Sequence, residues 1–318
     1  MARPTRVFFV ADLHGSGVCW RKFVNAAKVY RADVLLVGGD IAAKTLTPIF
    51  SGPDGWTARV EGVRRSAAND TELERLEAGL RDAATVPFRT TRAEWAELEA
   101  RPGALDAVFV RRACEELGRW LDWARPRLAG SGARLLLGLG NDDLTPMERV
   151  IEDDPVAELT DLEILRLDER HEMLTLPYSN PTPWATHREL PEEAIARQLD
   201  DGWAKLEDPA NAVLNAHVPP FGAPLDLAPK LDASLTKVMS PGGDPEFVHV
   251  GSTAVRAALE RHQPLLGLHG HIHESRGTTR FGRTLSMNCG SAYTEGALLG
   301  AVVDLGEGGV RSAVLTSG

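Results

Sequence analysis

Five short apolar runs in this chain each end beside a side chain that can bind a cation. Val7-Phe8-Phe9-Val10 leads to Asp12 and His14, and Val34-Leu35-Leu36-Val37 leads to Asp40. Leu135-Leu136-Leu137-Gly138-Leu139 leads to Asn141, Val213-Leu214 to His217, and Pro264-Leu265-Leu266-Gly267-Leu268 to His271 and His273. Short runs without polar alternation, bounded by Gly and polar residues, read as strands buried on both faces, which require a sheet covered on each side. In open α/β sheets, binding sites gather outside the carboxyl ends of the strands. A turn or a helix cap explains any one of these polar residues taken singly. It does not explain all five positions with these residue types.

The elements between the runs fit an α/β order. A strand over 6–11, a helix over 18–31 and a strand over 33–37 make a strand–helix–strand unit, so the first two strands are expected to be parallel neighbours. About 90 residues then separate Asp40 from the next buried run. Within them, residues 44–68 carry Pro48, Gly52, Pro53, Gly55 and Gly62 and read as irregular. Three helices are expected next, over 70–84 from an Asn69 or Asp70 cap, over 91–100 from a Thr-Glu capping box, and over 105–129. The chain is thus expected to be one domain, 1–318, with a helical insertion over 44–133. Thr145 and Pro146 open a short helix. Residues 162–167 and 172–177 read as paired strands, 191–206 as a helix, 218–247 as a long loop, and 253–262 as a helix capped by Ser252. The tail over 278–315 reads as antiparallel strands.

Composition narrows the function classes. The chain has 318 residues, 43% of them hydrophobic, and a formal net charge of -10. That balance opposes binding to long nucleic acid, which needs clustered Lys and Arg, but it allows a small phosphorylated ligand at a metal site. Cys19, Cys114 and Cys289 are odd in number and lack zinc-finger spacing, as expected of reduced thiols in a cytoplasmic protein. No run approaches the roughly 20 apolar residues of a membrane span. The sequence sets no oligomeric state.

Asp12, His14, Asp40, Asn141, His217, His271 and His273 together offer four imidazoles, two carboxylates and one amide. That is too many for one tetrahedral ion. It suits two ions sharing a bridging carboxylate and a bridging water, and mixed N/O ligation without thiolate favours Mn, Fe, Zn or Ni. Two such ions, roughly 3.5–4 Å apart, are the usual apparatus for displacement at phosphorus. The ordered set Asp-x-His, Gly-Asp, Gly-Asn-x-Asp, His and Gly-His-x-His, from Asp12 to His273, resembles the calcineurin-like metallophosphoesterase superfamily. So do Gly267-Leu268-His269-Gly270-His271-Ile272-His273-Glu274-Ser275 and Met287-Asn288-Cys289-Gly290-Ser291, the latter with Cys289 where that family more often has Pro. The resemblance implies a four-layer α/β/β/α sandwich with two mixed β-sheets. It also implies one ion on Asp12, His14, Asp40 and His273, a second on Asp40, Asn141, His217 and His271, and a phosphomonoester or phosphodiester cleaved by a metal-bridging hydroxide.

One position departs from that family, which commonly has His directly after the motif Asn as proton donor or phosphate contact. Here it is Asp142, and Asp143 then matches the family's Asp. Beside two dications Asp142 is expected to be ionised, hence a poor general acid, and general-acid help is typically worth about 10²–10⁴-fold. The competing expectation is a catalytically weak or inactive scaffold of the same fold that binds a protein partner. His269 reads as a packed histidine, and Glu274 and Asn288 as candidates for orienting ligand histidines. Lys44, Arg59, Arg64 and Arg65 read as a solvated basic face, with contact to a substrate phosphate as the rival.

Overall fold

The computed structural model describes residues 3–60 and 62–318. β1 (Thr5–Val10), α1 (Gly17–Val29) and β2 (Val34–Gly38) form the expected unit, with β1 and β2 parallel from Val7↔Val34 to Val10↔Val37. Ser16 caps α1 by accepting from the Cys19 N–H. Next come β3 (Leu46–Gly52), β4 (Gly55–Val60), β5 (Val63–Ala67), α2 (Asp70–Asp82), β6 (Val86–Thr90), α3 (Arg92–Glu99) and α4 (Ala104–Leu128). β7 (Arg134–Gly138), α5 (Pro146–Glu152), β8 (Ala157–Leu159), β9 (Ile164–Arg166) and β10 (Glu172–Leu176) follow. α6 (Glu192–Trp203), β11 (Val213–Ala216), β12 (Leu227–Pro229), β13 (Phe247–His249), α7 (Thr253–His262) and β14 (Leu266–His269) come after them. The chain closes with β15 (Gly277–Phe281), β16 (Thr284–Asn288), β17 (Leu299–Gly306) and β18 (Gly309–Ser317).

Two six-stranded mixed sheets carry the architecture, in the orders β18-β17-β1-β2-β7-β8 and β15-β16-β14-β11-β10-β9. Their inner strands are parallel; antiparallel pairs lie toward the edges. The period-two geometry of a strand assigns its residues to alternate cores. Val7, Phe9, Val34, Leu36 and Leu136 face the other sheet, where they meet Met173, Val213, Leu266, Leu268 and Met287. Phe8, Val10, Leu35, Val37, Leu135 and Leu137 point outward, onto Trp20, Phe23, Leu117, Trp120 and Leu121 of α1 and α4. On the second sheet, Leu174, Leu214 and Ala216 pack under Ile195, Leu199, Val255 and Leu259 of α6 and α7. The result is the expected α/β/β/α sandwich, and it explains why the runs lack polar alternation.

Residues 44–68 are not irregular. They form β3, β4 and β5, which join β6 in a four-stranded sheet of order β5-β4-β3-β6. Of the Pro and Gly residues that suggested irregularity, Gly52, Pro53, Gly55 and Gly62 lie in or beside turns and Pro48 lies within β3. Gly52-Pro53-Asp54-Gly55 closes the β3–β4 hairpin, where Gly52 pairs with Gly55 and Gly55 has φ +106°. Pro48 lies in β3 opposite Phe88, ahead of the β4 ladder that starts at Ile49, and Pro87 lies on edge strand β6. The three expected helices follow as α2, α3 and α4, with the Asn69 cap and the Thr91–Glu94 capping box formed. The stretch 218–247 is a loop broken by the short β12–β13 ladder.

Candidate metal centre

The seven residues singled out by sequence converge at the carboxyl ends of β1, β2, β7, β11 and β14. Backbone bonds zip the first two loops together: Asp12 N to Gly39 O at 2.9 Å, His14 N to Asp40 O at 2.9 Å and Gly15 N to Ile41 O at 2.8 Å. The third loop is clamped by Asp143, which is fully buried and accepts from the N–H groups of Gly140 (2.8 Å), Ile41 (3.1 Å) and Ala42 (2.6 Å). The Asp142 N–H donates to Asp40 Oδ1 at 3.0 Å. The two sheets are tied by the His271 N–H, which donates to both oxygens of Asp12 at 3.1 and 3.0 Å, while Gly270 N donates to His217 O at 3.0 Å within the second sheet.

Asp12, His14 and His273 form one group, and Asp40, His217 and His271 a second, with the ligand atoms of each within 4.8 Å of one another. The groups adjoin: His14 Nε2 lies 3.6 Å from Asp40 Oδ2, and His217 Nε2 lies 3.3 Å from that same oxygen and 4.0 Å from Asp12 Oδ1. Asn141 joins the second group, its Oδ1 lying 3.1 Å from His217 Nε2.

These residues fit a pair of cations. The His217 Nδ1–H donates to Gly38 O at 3.0 Å, which turns Nε2 toward the centre. The Asn141 Nδ2 amide donates to Thr186 Oγ1 at 2.8 Å, and that hydroxyl donates to Glu189, so Asn141 Oδ1 is what faces His217. In the metal-free protein, where Asp40 and Asp12 keep His217 protonated, its Nε2–H donates to that oxygen, and a bound cation would take the place of the proton. His14 Nε2 and His273 Nε2 lie 3.1 Å apart, with Asp12 Oδ1 3.4 Å from the latter. Ligand atoms around one ion, bonded at about 2.0–2.2 Å, lie roughly 3–3.5 Å from one another. The spacings observed here are those of ligand atoms that share an ion.

Electrostatics point the same way. Burial works to raise Asp12 and Asp40, but the facing histidines overcome it: His273 and His217 hold Asp12 below its ordinary value, and His217 and His14 hold Asp40 well below it. Burial would lower His217, yet Asp40 and Asp12 push it up to about 10. Burial dominates at His14 and His271, lowering them to about 3 and about 4. Two of the four imidazoles are thus already neutral ligands at pH 7.

Sequence reasoning missed residues that complete the centre. Tyr293 sets its ring 4.7 Å from that of His14 and 5.7 Å from that of His273. Thr186 and Glu189 fix the Asn141 amide from a Pro-rich loop. None belongs to a recognisable motif; their only signal is spatial. Lys44 is exposed like the rest of that face, but its Nζ pairs with Asp142 Oδ2 at 2.7 Å. Arg59, Arg64 and Arg65 are exposed on β4 and β5, as that reading expects. Without metal, burial and Asp40 push the Asp142 carboxyl above its ordinary value against the pull of Lys44. A third combination, His14, Asp40 and Asp142, overlaps the first two, but the Lys44 ammonium already pairs with its Asp142 oxygen. His269 is packed as expected, bonded to Ala216 O at 2.9 Å and Ser286 Oγ at 2.8 Å. Asn288 holds the loop of His271 and His273 by donating to the carbonyls of Gly270 and Ile272, whereas Glu274 is exposed.

With this geometry described, the chain can be set beside known proteins. No protein-family profile matches the sequence, and no curated protein matches it. Its fold is found in solved structures. One aligns over 98% of both chains at 16% identity with a TM-score of 0.56. Protein TT1561 of Thermus thermophilus aligns over 99% of this chain and 98% of its own, at 12% identity and a TM-score of 0.52. At these identities the likeness is one of fold. A dimetal phosphatase from Danio rerio aligns over 99% of both chains at 11% identity, but its TM-score of 0.44 is too low to argue from. Among the described residues no helix is long and apolar enough to cross a membrane.

Proposed function

We propose that this protein is a dimetal phosphoesterase of the calcineurin-like metallophosphoesterase kind, acting on a small phosphomonoester or phosphodiester. The observation that carries the reading is the adjacency of two groups of potential ligand atoms, Asp12–His14–His273 and Asp40–His217–His271, across 3.3–4.0 Å. Asp12, His14, Asp40 and His273 would hold one ion, and Asp40, Asn141, His217 and His271 the other. Mn, Fe, Zn and Ni all suit this donor set. Such a pair supplies a hydroxide nucleophile at neutral pH and neutralises charge developing on phosphorus.

The chain's own residues orient the rest. Asp40, nearest to both groups, joins them. The Gly38 carbonyl fixes His217 in the tautomer that presents Nε2, and Thr186 turns the Asn141 oxygen inward. The test is metal analysis together with hydrolysis of p-nitrophenyl phosphate and bis-p-nitrophenyl phosphate in the presence of Mn²⁺. Wild type should bind two ions per chain and hydrolyse at least one ester; Asp40→Ala should lose metal and activity together. A wild-type protein that binds both ions and turns over neither ester would instead support the partner-binding scaffold.

A further inference from the structure

We propose that Lys44 is the cation that grips a phosphoryl oxygen of the substrate, with Asp142 as the residue that positions it. The proposal rests on the phosphoesterase reading above and adds a residue to it. Lys44 follows Asp40 by four residues, at the end of the Ile41-Ala42 stretch that Asp143 clamps. Its root is therefore fixed to the same scaffold as the ligands. Among the described residues it is the one lysine or arginine that pairs with a carboxylate of the centre. Its charge is felt at His14, Asp40, His273 and Tyr293, so it lies within electrostatic reach of both groups.

The pair borders solvent at the edge of the centre: the Asp142 side chain is 18% exposed and that of Lys44 is 44% exposed. An ammonium has three N–H donors; Asp142 takes one, and two are left for a ligand. A half-exposed ion pair contributes only about 0–1 kcal/mol to stability, so stability gives little reason to keep a charged pair beside the centre. Recognition of an anion gives a better one. Asp142 facing a phosphate alone would repel it. Paired with Lys44 it is neutralised, and it holds a long, flexible side chain in one place.

The experiment uses the full chain loaded with Mn²⁺, inorganic phosphate as the probe, and metal content as the control. Lys44→Met should keep both ions but bind phosphate about 10-fold more weakly or worse, the loss of one charge-assisted hydrogen bond. Its KM for p-nitrophenyl phosphate should rise by a similar factor. Lys44→Arg should recover most of the affinity. Asp142→Asn should weaken binding less than Lys44→Met, because the ammonium remains. Wild-type phosphate affinity in fully loaded Lys44→Met would reduce the pair to a surface contact and overturn the proposal, while leaving the phosphoesterase reading intact. Loss of metal from Lys44→Met would also overturn it. A loaded wild type that binds no phosphate overturns the proposal together with the reading beneath it.

Discussion

Four of the proposed ligands, Asp12, His14, Asp40 and His271, hold left-handed backbone conformations with φ of 57°, 42°, 56° and 67°. Each such residue costs on the order of 1–3 kcal/mol and persists only where its surroundings dictate it, which is typical of a working site. Glycines make the close approach possible. A Cβ on Gly140 would fall 2.2 Å from Asp40 Oδ1 and 2.5 Å from Asp40 N, and one on Gly270 would fall 2.5 Å from Asp12 Oδ2. Gly140→Ala should therefore destabilise the fold by about 1–3 kcal/mol and release metal from the Asp40 side. Thermal melting and metal analysis of the variant check this, and a normal melt with two bound ions would refute it. Asp142→His, which restores the residue of the resembled family, should change the dependence of rate on leaving-group pKa and leave metal content alone; metal loss would make Asp142 a ligand. The seven ligand candidates were legible in the sequence because a cation demands particular donor atoms beside glycine at strand ends. Tyr293 and Thr186 were not, because a tyrosine or a threonine in a loop has many ordinary uses, and Lys44 was one of four basic residues until its pairing with Asp142 set it apart.

At the scale of elements, runs buried on both faces announced the inner strands and their order, and caps announced the helices: Ser252 accepts from the Val255 N–H, and Asn69 from the Glu72 N–H. The β3–β6 sheet was illegible because its strands alternate poorly, half exposed, and its Gly-Pro-Asp-Gly turn resembles loop chemistry. The joint between α6 and α7 was illegible for another reason: it depends on one side chain reaching across 60 residues. Glu192, in the first turn of α6, accepts from Ser252 Oγ at 2.7 Å, Thr253 N at 3.1 Å and Ala254 N at 2.8 Å. One carboxylate thus serves the N-termini of two helices, where negative charge is favoured. Glu192→Ala should lower unfolding free energy by about 1–3 kcal/mol without altering metal content, as read from a denaturant titration with and without Mn²⁺. A shift under about 0.5 kcal/mol, the size of an ordinary surface substitution, would mean that solvent replaces the carboxylate freely.

At the scale of the molecule, two sheets aim their strand ends at one centre, so the protonation state of that centre couples to the stability of the whole sandwich. His217 is raised from 6.5 to about 10. A histidine raised on folding adds stability that is fully present below about pH 6.5 and is lost as pH climbs through the folded value. The metal-free protein should therefore melt at progressively lower temperature between about pH 6.5 and pH 10. His14 and His271, lowered to about 3 and about 4, work at the acid end: their contribution is present above about pH 6.5 and fades as pH falls through those values. Asp12 and Asp40, both depressed, lose theirs in the same direction. Metal must displace the proton of His217, and that of His273 where it is protonated, whereas His14 and His271 have none to give at pH 7. Loading should release about one to two protons per chain, and affinity should rise with pH. Titration calorimetry in two buffers of different ionisation enthalpy measures that release, and melting curves at pH 7 and pH 9 with and without Mn²⁺ measure the stability. The loaded protein should keep its melting temperature where the metal-free protein loses it. Equal pH dependence in both forms would mean that His217 binds no ion, and the proposed centre would lose its second metal.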